Sequence, residues 1–243
     1  MNPSPPDEER APLAHPHSEP ELPFTKSPKL RLNFARKVFG IFASQAFATS
    51  LMVAAAQLSL SLRAFMDAQS FLAPLAIITG LITLYSLACY PKLQRTVPTN
   101  YILLAVFTAS EAYAIAYLAR NYPASIVVVA AILTFTLGAA LLIYALFSKK
   151  DFTTMGASMT LALILLIVAS IVAVLINIPF FTLMVTVFSV FLFGLYLIMD
   201  VQLIMGKHTL SFGQDDYIMA ALNLYLDIIN IFLNILSILG SLK

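Results

Sequence analysis

Charge is what this 243-residue chain has least of: Asp, Glu, Lys and Arg make up 11% of it, against 60% hydrophobic residues. A soluble domain carries about 25% charged residues because water must solvate its surface. A water-soluble globular enzyme is therefore excluded, and the expected solvent for most of the surface is lipid. Cysteine occurs once, as Cys89, which rules out an internal disulfide; inside an apolar run it is expected to be a packed thiol. The formal charge is only +2 and the basic residues are scattered among loops, which argues against nucleic acid as a partner. No acceptable Asn-x-Ser/Thr glycosylation site is present.

Catalytic constellations are missing too. The apolar segments hold no His, no cysteine pair and no His-Glu-x-x-His pattern. His208 falls in a loop, where a solvated residue able to tune a pH response is expected, and His15 and His17 lie near the N-terminus. Gly156-Ala157-Ser158 lacks the second glycine of a nucleophile elbow and has no intramembrane base. The last apolar segment has no lysine to hold a retinal. The expectation is a protein that is not an enzyme and needs no cofactor.

What is present is a succession of apolar runs. A helix needs about 20 apolar residues to cross the hydrocarbon layer. Seven stretches qualify: Val38–Leu62, Phe71–Tyr90, Tyr101–Ala119, Ser125–Phe147, Met155–Ile176, Phe180–Met205 and Tyr217–Leu239. Only Asn177, Ile178 and Pro179 separate the fifth and sixth, so proline ends one helix and starts the next in a tight hairpin. Ahead of these spans, residues 1–30 hold five of the twelve acids and most of the prolines without any apolar period. They read as a disordered, solvated cytoplasmic tail. Acidic and without an apolar core, the tail does not resemble a cleavable signal peptide. Residues 31–243 form the membrane domain, an all-α bundle of seven helices.

Lys and Arg in short loops set the direction of crossing. Ten of them flank the first span or follow the second, fourth and sixth; three lie on the other side. This predicts a cytoplasmic N-terminus. Full crossing of the seventh span puts the C-terminus on the far side, and a re-entrant seventh segment returns Lys243 to the cytoplasm.

Three spans carry one acid each and no base: Glu111 in the third, Asp200 in the sixth and Asp227 in the seventh. An Asp at the centre of a membrane helix costs roughly 2.5–3.5 kcal/mol on insertion scales, so such residues mark function unless they serve as protonated inter-helix glue. In the seventh span Asn223, Asp227, Asn230, Asn234 and Ser237 recur in steps of four and three. At 100° per residue they share an arc of about 80°. That stripe suits the centre of a bundle or the wall of a polar cavity rather than a lipid-facing helix. From the span ends, Asp227 lies five residues deeper than Asp200, roughly a turn and a half, a mismatch that tilt and boundary error allow to close. A close pair of carboxylates in a low-dielectric site cannot both ionise cheaply, so the two can share a proton. Fully deprotonated, they and the Asn carbonyls make a sparse oxygen site that suits the passage of a hard cation such as Ca²⁺ better than its storage.

The run from Asp200 to Gly206, followed by Asp215-Asp216-Tyr217 through Asp227-Ile228-Ile229-Asn230, resembles the C-terminal signature of the transmembrane Bax inhibitor motif family. Pro98-Thr99-Asn100-Tyr101 followed by Glu111 is similar to its Lifeguard branch, and Arg36–Gly40 and Lys149–Thr153 match as well. The resemblance covers about Arg31 to Gly240. It implies six helices around a central, polar-striped seventh, a pH-dependent Ca²⁺ leak across an internal or bacterial membrane and, in eukaryotes, suppression of cell death. It maps the family's paired aspartates onto Asp200 and Asp227. It also makes Lys92 and Arg95, beyond Pro91, the candidates for a basic latch of the closed state. An endomembrane location, Golgi or ER, follows from the same likeness.

The leading expectation is a proton-regulated Ca²⁺ leak lined by the seventh helix, with Asp200 and Asp227 as transient metal contacts. Glu111 is either a further cation contact or an inter-helix hydrogen bond. A second reading is a non-conducting membrane protein that restrains death-promoting or Ca²⁺-release partners. A third is a proton-coupled transporter, for which inverted repeats would be needed and none is visible.

Overall fold

The computed structural model describes residues 28–241. Helix α1 runs from Pro28 to Leu58. It thus takes in residues 28–30, assigned to the tail by composition; proline's fixed φ suits a helix's first turn. The rest of the expected tail lies outside the described residues. The first span is also displaced from Val38–Leu62: the helix starts ten residues earlier and stops at Leu58. Ser59 is extended there (φ −97°, ψ 109°), and its hydroxyl accepts the Leu62 N–H at 3.2 Å, capping the short α2 (Leu60–Ala68).

The remaining spans follow the apolar runs closely. They are α3 (Leu72–Cys89), α5 (Thr99–Ala119), α6 (Ala124–Phe147), α7 (Gly156–Ile176), α8 (Pro179–Met205) and α9 (Tyr217–Ser241). A five-residue α4 (Pro91–Arg95) follows α3, and one 3-10 turn (Thr153–Met155) precedes α7. Seven of these helices are long and apolar enough to cross a membrane, and no strand occurs among the described residues. The chain is an integral multi-pass membrane protein. Between α7 and α8, Asn177 takes the left-handed conformation (φ 53°), which Asn tolerates better than most residues, and Pro179 opens α8 as the expected hairpin requires.

Helix α9 packs against α1, α5, α6 and α8; α3 packs mainly on α5, and α7 on α8. No residue of α9 from Tyr217 to Gly240 is exposed, whereas α7 presents Leu161, Ile164, Leu165 and Val168 outward. At 1.5 Å per residue the 25 residues of α9 extend roughly 37 Å, more than the ~30 Å hydrocarbon layer.

Cys89 corrects the expectation of a packed thiol, because it is exposed. The buried face of α3 is set by Ala73, Gly80, Thr83 and Leu87. Cys89 lies two residues past Leu87, about 200° around the helix, and therefore faces outward.

Candidate functional site

Asp200 lies near the C-terminal end of α8 and Asp227 in the middle third of α9, the two helices that pack most closely. Their carboxyl groups come within hydrogen-bonding reach of each other, and the Asn223 side chain reaches Asp200. Asp200 is 2% exposed and Asp227 5%. Asp200 Oδ1 and Asp227 Oδ2 are buried and receive no donor from a neighbouring group. Buried polar atoms are nearly always paired, so two donorless oxygens on facing carboxyl groups define the feature to be explained. Tyr196 lies one turn before Asp200 on α8, near both carboxyl groups and near Thr160 of α7.

The stripe on α9 divides. Asn223 joins the pair, but Asn230 donates to Leu226 O at 2.8 Å and Asn234 to Asn230 O at 2.7 Å, so both amides turn back onto their own helix. Glu111 stands elsewhere. It is half-buried on α5 with Oε1 only 2.9 Å from where a Cβ on Gly80 would lie, so it occupies the α3–α5 contact.

A second polar cluster on the α1, α5 and α9 contacts was not evident from hydropathy. Gln45 Nε2 donates to Thr108 Oγ1 at 2.9 Å, Thr49 Oγ1 donates to Gln45 O at 3.0 Å, and the Thr49 and Tyr225 hydroxyls lie 2.8 Å apart. Tyr225 is fully buried and meets Phe107 edge-on at 5.9 Å. Gln45 and Thr49 were visible as polar residues inside an apolar run. Tyr225 stands out from the Leu, Ile and Phe around it, but it lies off the polar stripe of α9 and its partners on α1 and α5 are not legible from spacing.

The membrane-end loops around Asp200 are clasped by specific bonds. Arg31 in the first turn of α1 donates to Phe212 O at 2.7 Å and to Leu203 O, bridging the last turn of α8 and the loop after it. Gln202, 1% exposed, accepts the Phe152 N–H and donates to Lys150 O, both at 2.9 Å. Asp151 accepts the Thr153 hydroxyl at 2.6 Å and the backbone N–H groups of Thr153 and Thr209 at 2.9 and 3.1 Å. The Thr153 bond first, then those to Thr209, hold the Asp151 carboxyl well below the usual carboxylate range. Of the two latch candidates, Lys92 is exposed, and Arg95 pairs at 2.8 Å with Asp216 at the threshold of α9 rather than with the buried carboxyls.

Fold and site together define a polytopic membrane protein built round a buried pair of acids. A family model described as Bax1-I, Inhibitor of apoptosis-promoting Bax1, matches residues 31–243, and the chain belongs to the Bax inhibitor-1 family. Among its relatives, the "Golgi anti-apoptotic protein" of Vaccinia virus (strain Lister) is 30% identical over 210 residues, 86% of each chain. "Protein lifeguard 4" of Mus musculus is 32% identical over 214 residues, covering 88% of this chain and 87% of its own. "Bax inhibitor 1" of Schizosaccharomyces pombe is 29% identical over 215 residues, covering 88% and 78%.

Proposed function

We propose that this protein is an anti-apoptotic regulator of an internal membrane, Golgi or ER, that acts as a pH-sensitive Ca²⁺ leak gated by Asp200 and Asp227. Its N-terminus is cytoplasmic. The observation that carries the reading is the juxtaposition of two buried carboxyl groups, each with one oxygen lacking a donor. A single proton held between them satisfies both oxygens and leaves the pair with one negative charge. Removing it puts two charges side by side. At about 4 Å and an effective dielectric constant of ~20 their repulsion is about 4 kcal/mol, enough to shift a two-state equilibrium between closed and open arrangements.

The relief comes from separation of α8 and α9 or from a cation between them. Two carboxylates and the Asn223 carbonyl supply fewer oxygens than the 6–8 that Ca²⁺ takes in a storage site. Among the described residues no three His, Cys, Asp or Glu side chains group together. A sparse site of this kind favours transit. The proposed role is non-enzymatic and assigns the pair no cofactor. Arg95 acts as a latch only through Asp216, by fixing the start of α9 to α4. The regulated partners would be death-promoting or Ca²⁺-channel proteins of the same membrane.

The test is Ca²⁺ flux in proteoliposomes across neutral pH. Asp200→Asn and Asp227→Asn should each change the leak and flatten its pH response. If both leave leak and pH response as in the parent protein, the mechanism is wrong.

A further inference from the structure

We propose that the cleft between α1 and α6 is a binding site for a phospholipid with an anionic headgroup. This site is separate from the carboxyl pair and does not depend on its role. The two helices do not pack against each other; α9 lies behind both and forms the floor between them. The resulting cleft has a volume of about 870 Å³, within the range of ligand-binding cavities. Its walls are Phe42, Ala46 and Val53 from α1 and Val127, Ala131 and Phe135 from α6. It stays open because small residues face it on both sides, and Gly138 lets α6 approach Ile228 of the floor.

The occupant is indicated by position and by charge. The cleft runs lengthwise beside spans that are apolar enough to cross a membrane, from Phe39 beside Ile143 at one end to Leu58 beside Ala124 at the other. An elongated apolar slot in that setting fits acyl chains. At the Leu58 end the Arg63 guanidinium is bound to Gln57 Oε1 at 3.0 Å; the opposite end is the more basic. Arg36 is three residues before Phe39, so the helical period continues the cleft-facing stripe onto it, and Lys149 and Lys150 follow the end of α6. All three are exposed, and none is in an ion pair among the described residues. Their neighbour Asp151 keeps its negative charge but directs its oxygens to Thr153 and Thr209 rather than to a cation. Two lysines face rings: the Lys37 ammonium lies 3.2 Å from the Tyr217 ring centroid and that of Lys150 5.1 Å from the Phe152 centroid. Arg36 and Lys149, exposed and without an ion pair or ring partner among the described residues, put two cations at one mouth of an apolar slot and match a lipid whose headgroup carries net negative charge.

The experiment uses the full chain reconstituted into vesicles of equimolar phosphatidylcholine and phosphatidylserine. The protein is then extracted in mild detergent, washed, and its retained lipid quantified by mass spectrometry. Phosphatidylserine should be retained in preference to phosphatidylcholine. Arg36→Gln with Lys149→Gln should lower that preference by about fivefold per residue. Ala131→Phe, which fills the slot, should abolish retention of both lipids, while Ile132→Phe on the neighbouring lipid-facing position should leave it intact. Thermal unfolding of each variant establishes that the bundle is formed. Equal retention of the two lipids overturns the headgroup assignment. Retention untouched by Ala131→Phe, or lost equally in Ile132→Phe, overturns the cleft. A parent protein that retains no lipid and instead cross-links to a second copy through Ala131→Cys overturns the proposal in favour of a protein occupant.

Discussion

Gly206 ends α8 six residues past Asp200 in the left-handed region (φ 61°), and Gly206→Ala separates two physical costs. A residue with a Cβ in that region loses roughly 1 kcal/mol relative to glycine. The new methyl would also lie 2.5 Å from Arg31 Nε and 2.7 Å from Cζ. The guanidinium is the far end of a flexible side chain, so it swings aside, and the steric clash is not the cost. What is lost is its hold on Phe212 O and Leu203 O. Hydrogen bonds to a charged donor contribute about 1.5–3 kcal/mol each, less where water can replace them. Taking about 2 kcal/mol for the two, Gly206→Ala should destabilise by about 3 kcal/mol. Arg31→Ala should cost about 2 kcal/mol by the second route alone. Because both remove the same bonds, the double variant should cost about 3 kcal/mol rather than 5, a coupling of about 2 kcal/mol. Equilibrium unfolding in mixed micelles, run as a double-mutant cycle, measures it. Additivity to within about 0.5 kcal/mol refutes the reasoning, since Arg31 would then not be what Gly206 makes room for.

Two further perturbations test the same end of the bundle. Gln202→Leu should strand the Phe152 N–H and the Lys150 carbonyl, costing about 1–3 kcal/mol; hydrogen exchange at the Phe152 amide should accelerate, and unchanged protection there contradicts the clasp. Asp151 contributes stability that is fully present above the unfolded value of ~3.9 and is lost only as pH falls through its lower folded value; the Thr153 and Thr209 amides should therefore stay protected at pH values where ordinary aspartates are protonated, and Asp151→Ala should abolish that protection at every pH.

Hydropathy located six of the seven spans to within two residues at each end, because a lipid-facing helix must be apolar nearly everywhere and its flanks must not. The first span escaped for a local reason. Arg31, Arg36 and Lys37 depress the hydropathy of a stretch that is nonetheless helical, and Arg31 is 6% exposed because backbone carbonyls of α8 and the following loop receive it. The stop at Ser59 depended on one side-chain cap, which no sliding average resolves. Span ends left Asp227 five residues deeper than Asp200, roughly a turn and a half, yet their carboxyl groups meet. The eleven-residue loop between Met205 and Tyr217 lets α9 begin farther out than α8 ends. Register alone could not divide the α9 stripe: Asn230 and Asn234 share the arc of Asp227 but bond to their own helix. The family resemblance marked Arg95 as a latch candidate, but its partner Asp216 lies 121 residues away and only the fold brings them together.

The two polar regions of α9 are mechanically one element. Asp227 and Tyr225 are two residues apart and so face about 200° apart, one towards Asp200 on α8 and the other towards Thr49 on α1. A rotation of α9 that separates the carboxyl groups must also shift the Tyr225 hydroxyl against Thr49. A rigid tilt moves both as well, since side chains in a packed helix cannot slide independently. Thr49 belongs to α1, whose next turns form one wall of the lipid cleft. Any event that favours one position of α9, a proton at the carboxyl pair or a lipid between α1 and α6, must then bias the other site by the same free energy. The physical requirement for such coupling is a shared two-state element. In this bundle α9 is the helix that touches both sites, as the floor of one and half of the other.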